Sequence, residues 1–430
     1  MADQVELSYK DISLQMPIMS ASDGSKFFDV RELKEKTGLS AYDPDLHNTA
    51  IAKSAITWID SKSGKLLYRG IDVEDLVNHS SFVETSYLLS HGELPNQAQL
   101  EEYSRSLSKH SMIHESMRNF FDSFPGNAHP LAILATMVTA LSSYYPQSFE
   151  ENISKGIDVR TRLLAKVRTL AAWAFKKSIG QPTVYPRDEL PYCKNFLNMM
   201  FAVPAESHTV TEADDRVLNQ ILILYSDHEY NVATTTMRFV ASTRANLFAC
   251  VNAGICTLWG ARESDANLPP IILLREMIQN SQTPEQYFER FIKKGEPIVS
   301  NGLGHSAYGP EDPRATVSRK IFHEYRKNHP DALKSPLIRK ALEVEEFTLG
   351  HPFFKEKKLY PNLDFYSALV FHLLGIPSEM NNVIRVIGKL SGWLAHWLEQ
   401  RNETERRSFR PRQVYTGKMH RGYTPMDQRK

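Results

Sequence analysis

The chain has 430 residues, too many for one average domain and comfortable for two, and 42% of them are hydrophobic, so a large core can form. A net charge of +1 excludes nucleic acid as a general partner, because that needs a broad basic field. Only three cysteines occur, Cys193, Cys250 and Cys256, at no zinc or disulfide spacing, so reduced thiols in a cytoplasm are expected.

The N-terminus, MADQVELSYKD, has no apolar stretch and little positive charge, unlike a secretory signal or a typical transit peptide. Residues 1–50 are polar and mixed, with a turn signal at Asp43-Pro44-Asp45. Ala55 to Asp60 and Lys65 to Arg69 read as two short strands joined by Ser61-Lys62-Ser63-Gly64, a hairpin. From Ser81 the pattern turns helical. Ser81 and Glu84 match a capping box, and Gly92 with Pro95 ends that helix. Apolar runs such as Leu131 to Leu141 are too short to span a bilayer, so no membrane partner is expected. Val217, Ile221 and Leu224 mark a helix that stops near Ser226. After Pro377, the residues Val383, Ile387, Leu390, Leu394 and Trp397 form one apolar stripe at helical spacing. Long helices with short Gly/Pro breaks and few strands predict an all-α chain. The tail from Arg401 to Lys430 carries nine Lys/Arg against three Asp/Glu. It reads as a solvated basic end, or as a segment that meets anions on this or a neighbouring subunit.

Four segments concentrate ionisable residues at helix ends or loops, where function usually sits: 226–238, 258–267, 302–315 and 357–367. Singly each has a bland reading. His228 fits a satisfied histidine at a helix start, His305 a loop histidine, and Asp364 a cap for a helix beginning at Phe365.

Together these segments resemble the citrate synthase family. The carriers are LLYRGIDVEDL, HGELP, SIGQPTVYPR, KNFLNMMF, SDHE-N, GLGH--Y---DPRATV, KKLYPNLDFYSALV, GIPSEM, GWLAHW and RPRQVYTG, collinear over nearly the whole chain. The resemblance is greatest to the longer bacterial, hexameric type. It implies a large helical domain (51–274 and 381–430), a small one (275–380) and an N-terminal polar or β segment (1–50). It also implies a cleft in which an acyl-CoA such as acetyl-CoA condenses with oxaloacetate or a related 2-oxo acid. No permanent cofactor or metal is implied; the CoA thioester is a co-substrate. By position, Asp364 matches the base, His305 the histidine that protonates the ketone, and His228 a substrate-binding histidine. Arg314 matches an arginine for a substrate carboxylate. Arg410 matches the arginine that reaches in from a neighbouring subunit, so a homodimer or hexamer is expected.

The chain departs from the family at one loop. The family reads approximately LWG-P-L-H-G-G-A-N; this chain reads LWG-A-R-E-S-D-A-N. Glu263 therefore occupies the place of the enolate-stabilising histidine, and Ser264 and Asp265 replace two glycines. A carboxylate accepts hydrogen bonds and repels a growing negative charge. Loss of one such donor costs about 3–4 kcal/mol. Lys389 stands for a carboxylate-binding arginine and loses its fork, and Gly309 stands where a basic residue meets a CoA phosphate. Two readings remain: a synthase-type acyltransferase with altered or reduced activity, in which Glu263 takes a catalytic place, and an inactive paralogue. The paralogue would bind a dicarboxylate, or would regulate or co-assemble with an active synthase.

Overall fold

Two small sheets and a long succession of helices build the protein, described in a computed structural model over residues 3–145, 158–260, 268–294, 302–305, 307–308, 311–403 and 408–429. The helical prediction holds. The chain divides into two units, Met1–Ala55 and Ile56–Lys430.

The first unit is more ordered than its composition suggests. Strands β1 (Gln4–Tyr9), β2 (Ile12–Ser20) and β3 (Lys26–Phe28) form an antiparallel sheet in the order β1-β2-β3. Lys10, at φ 52°, makes the tight turn between the first two strands. Met16 is the one buried apolar side chain among the described strand residues. With so little core, the alternation that marks a strand is faint, which is why these residues read only as mixed.

In the second unit the expected hairpin forms. Strands β4 (Thr57–Asp60) and β5 (Lys65–Tyr68) pair with Asp60 opposite Lys65, and β6 (Ile71–Asp72) extends the sheet. The Asp60 carboxylate fixes the turn by accepting from the backbone N–H of Lys62 at 2.9 Å and of Ser63 at 3.2 Å.

Helix α1 (Phe82–His91) starts and stops where expected. Ser81 accepts from the Glu84 N–H, and Gly92 closes the helix at φ 92°. The box is only half made, because the Glu84 carboxylate takes the Ser80 hydroxyl at 2.7 Å instead of the cap N–H.

The elements that carry the site follow. They are α2 (Val159–Ser178), α3 (Glu212–Tyr225), α4 (Val232–Ala241), α5 (Pro313–Arg326), α6 (Pro336–Gly350), α7 (Leu363–Leu373) and α8 (Asn381–Asn402). Helix α8 packs against α1, α2, α3 and α4. All five residues of its expected stripe are buried, but so are Arg385, Lys389, Ser391 and His396 between them. A helix enclosed on every side has no solvent face, so one stripe is too simple a description. Each buried Leu, Ile or Val contributes about 1.5–3 kcal/mol. The buried polar groups oppose this unless partnered, and their partners build the site.

Candidate active site

Three segments converge at the ends of helices. The first is the turn after α3. Helix α8 presents Gly392 to it, whose N–H donates to the Ser226 carbonyl at 3.0 Å. A Cβ at 392 would lie 2.3 Å from the Asp227 carboxylate, so only glycine permits the approach. Asp227 then faces His396 of α8, with both carboxylate oxygens 3.2–3.3 Å from Nε2. Its carbonyl accepts from the Tyr68 hydroxyl at 2.8 Å. Glu229, at φ 49°, accepts from the Ile59 N–H on β4 at 2.8 Å. Residues on both sides of His228 are thereby held, and His228 is buried with Nε2 2.9 Å from the Tyr308 hydroxyl.

The second segment joins residues 302–305 to residues 360–362. Gly304 donates to the Tyr360 carbonyl at 2.7 Å, and the Asn362 N–H donates to the Gly302 carbonyl at 2.8 Å. Gly304 lies at φ 71°, where a Cβ would also sit 2.9 Å from the Leu359 side chain. Asn362 is the keystone. Its amide donates to the Gly304 carbonyl at 2.9 Å, while its oxygen caps α7 by accepting from the N–H groups of Asp364 and Phe365. Asp364 is therefore not the cap. It sits in the first turn with its side chain free to turn inward, where Oδ1 accepts from the Tyr225 hydroxyl at 3.0 Å.

The third segment is the start of α5. Asp312 caps it, Pro313 occupies the first turn, and the Arg314 guanidinium closes on Asp312 through Nε at 3.1 Å and Nη2 at 2.8 Å. Both side chains are buried. Burial alone pulls Arg314 down, but the facing Asp312 charge outweighs it and holds the cation firmly protonated.

The imidazoles of His228 and His305 lie 4.8 Å apart between centroids, and that of His305 lies 5.4 Å from the Tyr308 ring. His228 is pushed well below the usual histidine range by burial, then by Arg314, His305 and Lys389. His305 is open to solvent on one side, yet the dense protein around it and then the Arg314 charge push it down to about 4. Both rings are neutral at pH 7. His305 Nδ1 accepts from the Ala307 N–H at 3.1 Å, so its single proton lies on Nε2. A neutral N–H aimed from a cleft is suited to donate to a carbonyl oxygen. Asp227 is held below the usual carboxylate range: burial opposes its charge, but His396 and Lys389 outweigh burial.

The fold thus gathers His228, His305, Arg314, Asp364 and Lys389. Lys389 is buried on α8, and its charge acts on both imidazoles. Arg410 is not among them. It lies exposed in the tail beyond Phe409, whose ring packs 4.8 Å from that of Phe239, and it makes no hydrogen bond or ion pair with those five residues. Glu263, Ser264, Asp265 and Gly309 lie outside the described residues. The sequence reading missed Tyr225, Asp312, Tyr308, Asn362 and His396 as site builders. Tyr308, Asp312, Asn362 and His396 sat inside the quoted motifs, so their signal was present but had no role attached. Among the described residues no group of three or more His, Cys, Asp or Glu is placed to hold a metal ion, and no helix is long and apolar enough to cross a membrane.

Comparison with known proteins points one way. The family described as citrate synthase, C-terminal domain, matches residues 45–412. Citrate synthase 1 of Mycobacterium tuberculosis (strain CDC 1551 / Oshkosh) is 39% identical over 431 aligned residues, covering 99% of each chain. The crystal structure of citrate synthase from Pyrobaculum aerophilum superposes with a TM-score of 0.79 at 30% identity, covering 96% of this chain and 97% of that one. The citrate synthase of Thermoplasma acidophilum, in a ternary complex with carboxymethyl coenzyme A and oxaloacetate, gives 0.78 at 26% identity, over 89% of this chain and 98% of that one.

Proposed function

The chain belongs to the citrate synthase family, and from that premise we propose that it condenses an acyl-CoA thioester with oxaloacetate or a related 2-oxo acid. Asp364 takes a proton from the carbon next to the thioester. The enolate carbon attacks the ketone, and the carbonyl oxygen receives the His305 Nε2 proton. Water then cleaves the thioester, releasing the CoA thiol and the tricarboxylate. His228, Arg314 and Lys389 hold the dicarboxylate, with Arg410 supplied by a second copy of the chain. Residues 275–380 form the small domain of this reading. Residues 51–274 and 381–430 form the large one.

The observation that carries the proposal is the Asn362 bridge, which ties the His305 segment to the helix bearing Asp364. The base and the proton donor thus reach one space from two strands of backbone.

Glu263 limits this activity. Loss of an enolate donor costs about 3–4 kcal/mol, on the order of a thousandfold in rate, and a carboxylate in its place adds repulsion. The test is free thiol release from acetyl-CoA with the purified chain. Slow release that needs oxaloacetate supports the reading. A rate typical of an efficient enzyme would remove the claim about Glu263. No release at any enzyme concentration, with dicarboxylate binding intact by calorimetry, would favour the second reading, a binding or regulatory paralogue.

A further inference from the structure

We propose that Tyr225 is a positioning residue for Asp364, fixing one carboxylate oxygen so that the other is presented to the carbon acid. The inference rests on Asp364 being the base of the condensation. Tyr225 is the last residue of α3 and is buried. Its hydroxyl lies 3.0 Å from Asp364 Oδ1 and 2.6 Å from Ser367 Oγ, one turn further along α7. Its ring is held in place by α8: a Cβ at Gly388 would sit 2.7 Å from the Tyr225 Cβ, and the Arg385 guanidinium lies 5.7 Å from the ring centre.

A phenol has one proton. An ionised carboxylate only accepts, so Tyr225 donates to Asp364, and the Ser367 hydroxyl, which also lies 3.3 Å from the Asp364 carbonyl, donates to Tyr225 across the shorter 2.6 Å contact. Such a chain polarises along its length, from Ser367 through Tyr225 to the carboxylate. Among the described residues Asp364 Oδ2 accepts no hydrogen bond. The lock therefore selects which oxygen takes the proton. The same short stretch carries His228 three residues later, so the end of α3 sets both the base and one wall of the ketone pocket.

The test is Tyr225→Phe, which keeps the ring and its packing, with Ser367→Ala as the weaker change. For Tyr225→Phe, kcat should fall by about 10- to 100-fold, the loss expected for a hydrogen bond to a charged group. KM for oxaloacetate should stay within about twofold. A merely structural role for Tyr225 would lower the melting temperature along with kcat; here kcat should fall with melting little changed, and fall less in Ser367→Ala. At pH 7.5 the 13C resonance of the Asp364 carboxyl carbon, assigned with Asp364→Asn, should move in Tyr225→Phe as the hydrogen bond to Oδ1 is lost. An unchanged kcat and an unmoved carboxyl resonance would overturn the proposal. If the wild-type chain shows no condensation, the functional reading fails, and the carboxyl resonance still decides whether Tyr225 holds Asp364.

Discussion

The back wall of the site and its reacting edge are built in opposite ways. The back wall is Asp227, His228 and the α8 residues His396 and Lys389, all buried. The edge is His305 and Asp364, held by backbone pairing between two loops and one asparagine, with His305 open to solvent. The wall can set charge and shape in advance, because its dielectric is low and Asp227 is held by His396 and the Glu229 N–H. On the proposed reading the edge meets a substrate and exchanges protons, so it cannot be sealed, and the protein should respond to substitution in two distinguishable ways: in stability at the wall and in rate at the edge.

The largest effect should come from residues 263–265. On the proposed reading, the triple change Glu263→His, Ser264→Gly and Asp265→Gly restores an enolate donor and room beside it. Thiol release should rise by about a thousandfold, with little change in melting temperature. An unchanged rate would show that Lys389 or Gly309 also limits the reaction.

The wall should answer in stability. His396→Ala leaves the buried Asp227 carboxylate with the Glu229 N–H and the Lys389 charge but without its imidazole, which should cost about 1–3 kcal/mol, read as a drop in melting temperature. A loss of activity with unchanged melting would contradict the division. Acid sharpens the same contrast. The pKa of each of His228 and His305 is lower in the fold than in the unfolded chain, where it is near 6.5. Between pH 6.5 and about 4 the unfolded state therefore binds more protons, so stability falls as pH falls through that window. Melting temperatures at pH 7.5, 6 and 5 should decline, and the His228→Gln variant should decline less steeply.

The smallest effect should be at the keystone. Asn362→Ala removes one helix cap and one bridge to Gly304, costing about 1 kcal/mol in stability. Its rate loss should exceed that modest change, because the bridge sets the spacing of His305 from Asp364.

Much of this was legible in the sequence for definable reasons. The hairpin at 57–68 was visible because strand alternation and a Ser-Gly turn coincide. The ionisable residues of the site were visible because they cluster in loop motifs. What could not be read was partnership. Nothing in the spacing of Tyr225 and Asp364, or of Asp227 and His396, shows that α3, α7 and α8 bring them together. The five-residue stripe of α8 is buried as its spacing predicts, but the burial of Lys389 and His396 beside it was not legible, because it depends on elements remote in sequence. The N-terminal strands were legible only through the family resemblance, because they bury almost nothing among themselves, and strand patterns are faint where there is no core to face.

The central claim is that Asp364 is the base at the exposed edge. The most direct measurement is oxaloacetate-dependent thiol release by Asp364→Asn beside the wild-type chain, at saturating substrates, with calorimetry confirming that the dicarboxylate still binds. The account predicts a fall in kcat of about 100- to 10,000-fold with dicarboxylate affinity retained. An asparagine variant that turns over as fast as the wild type would contradict it.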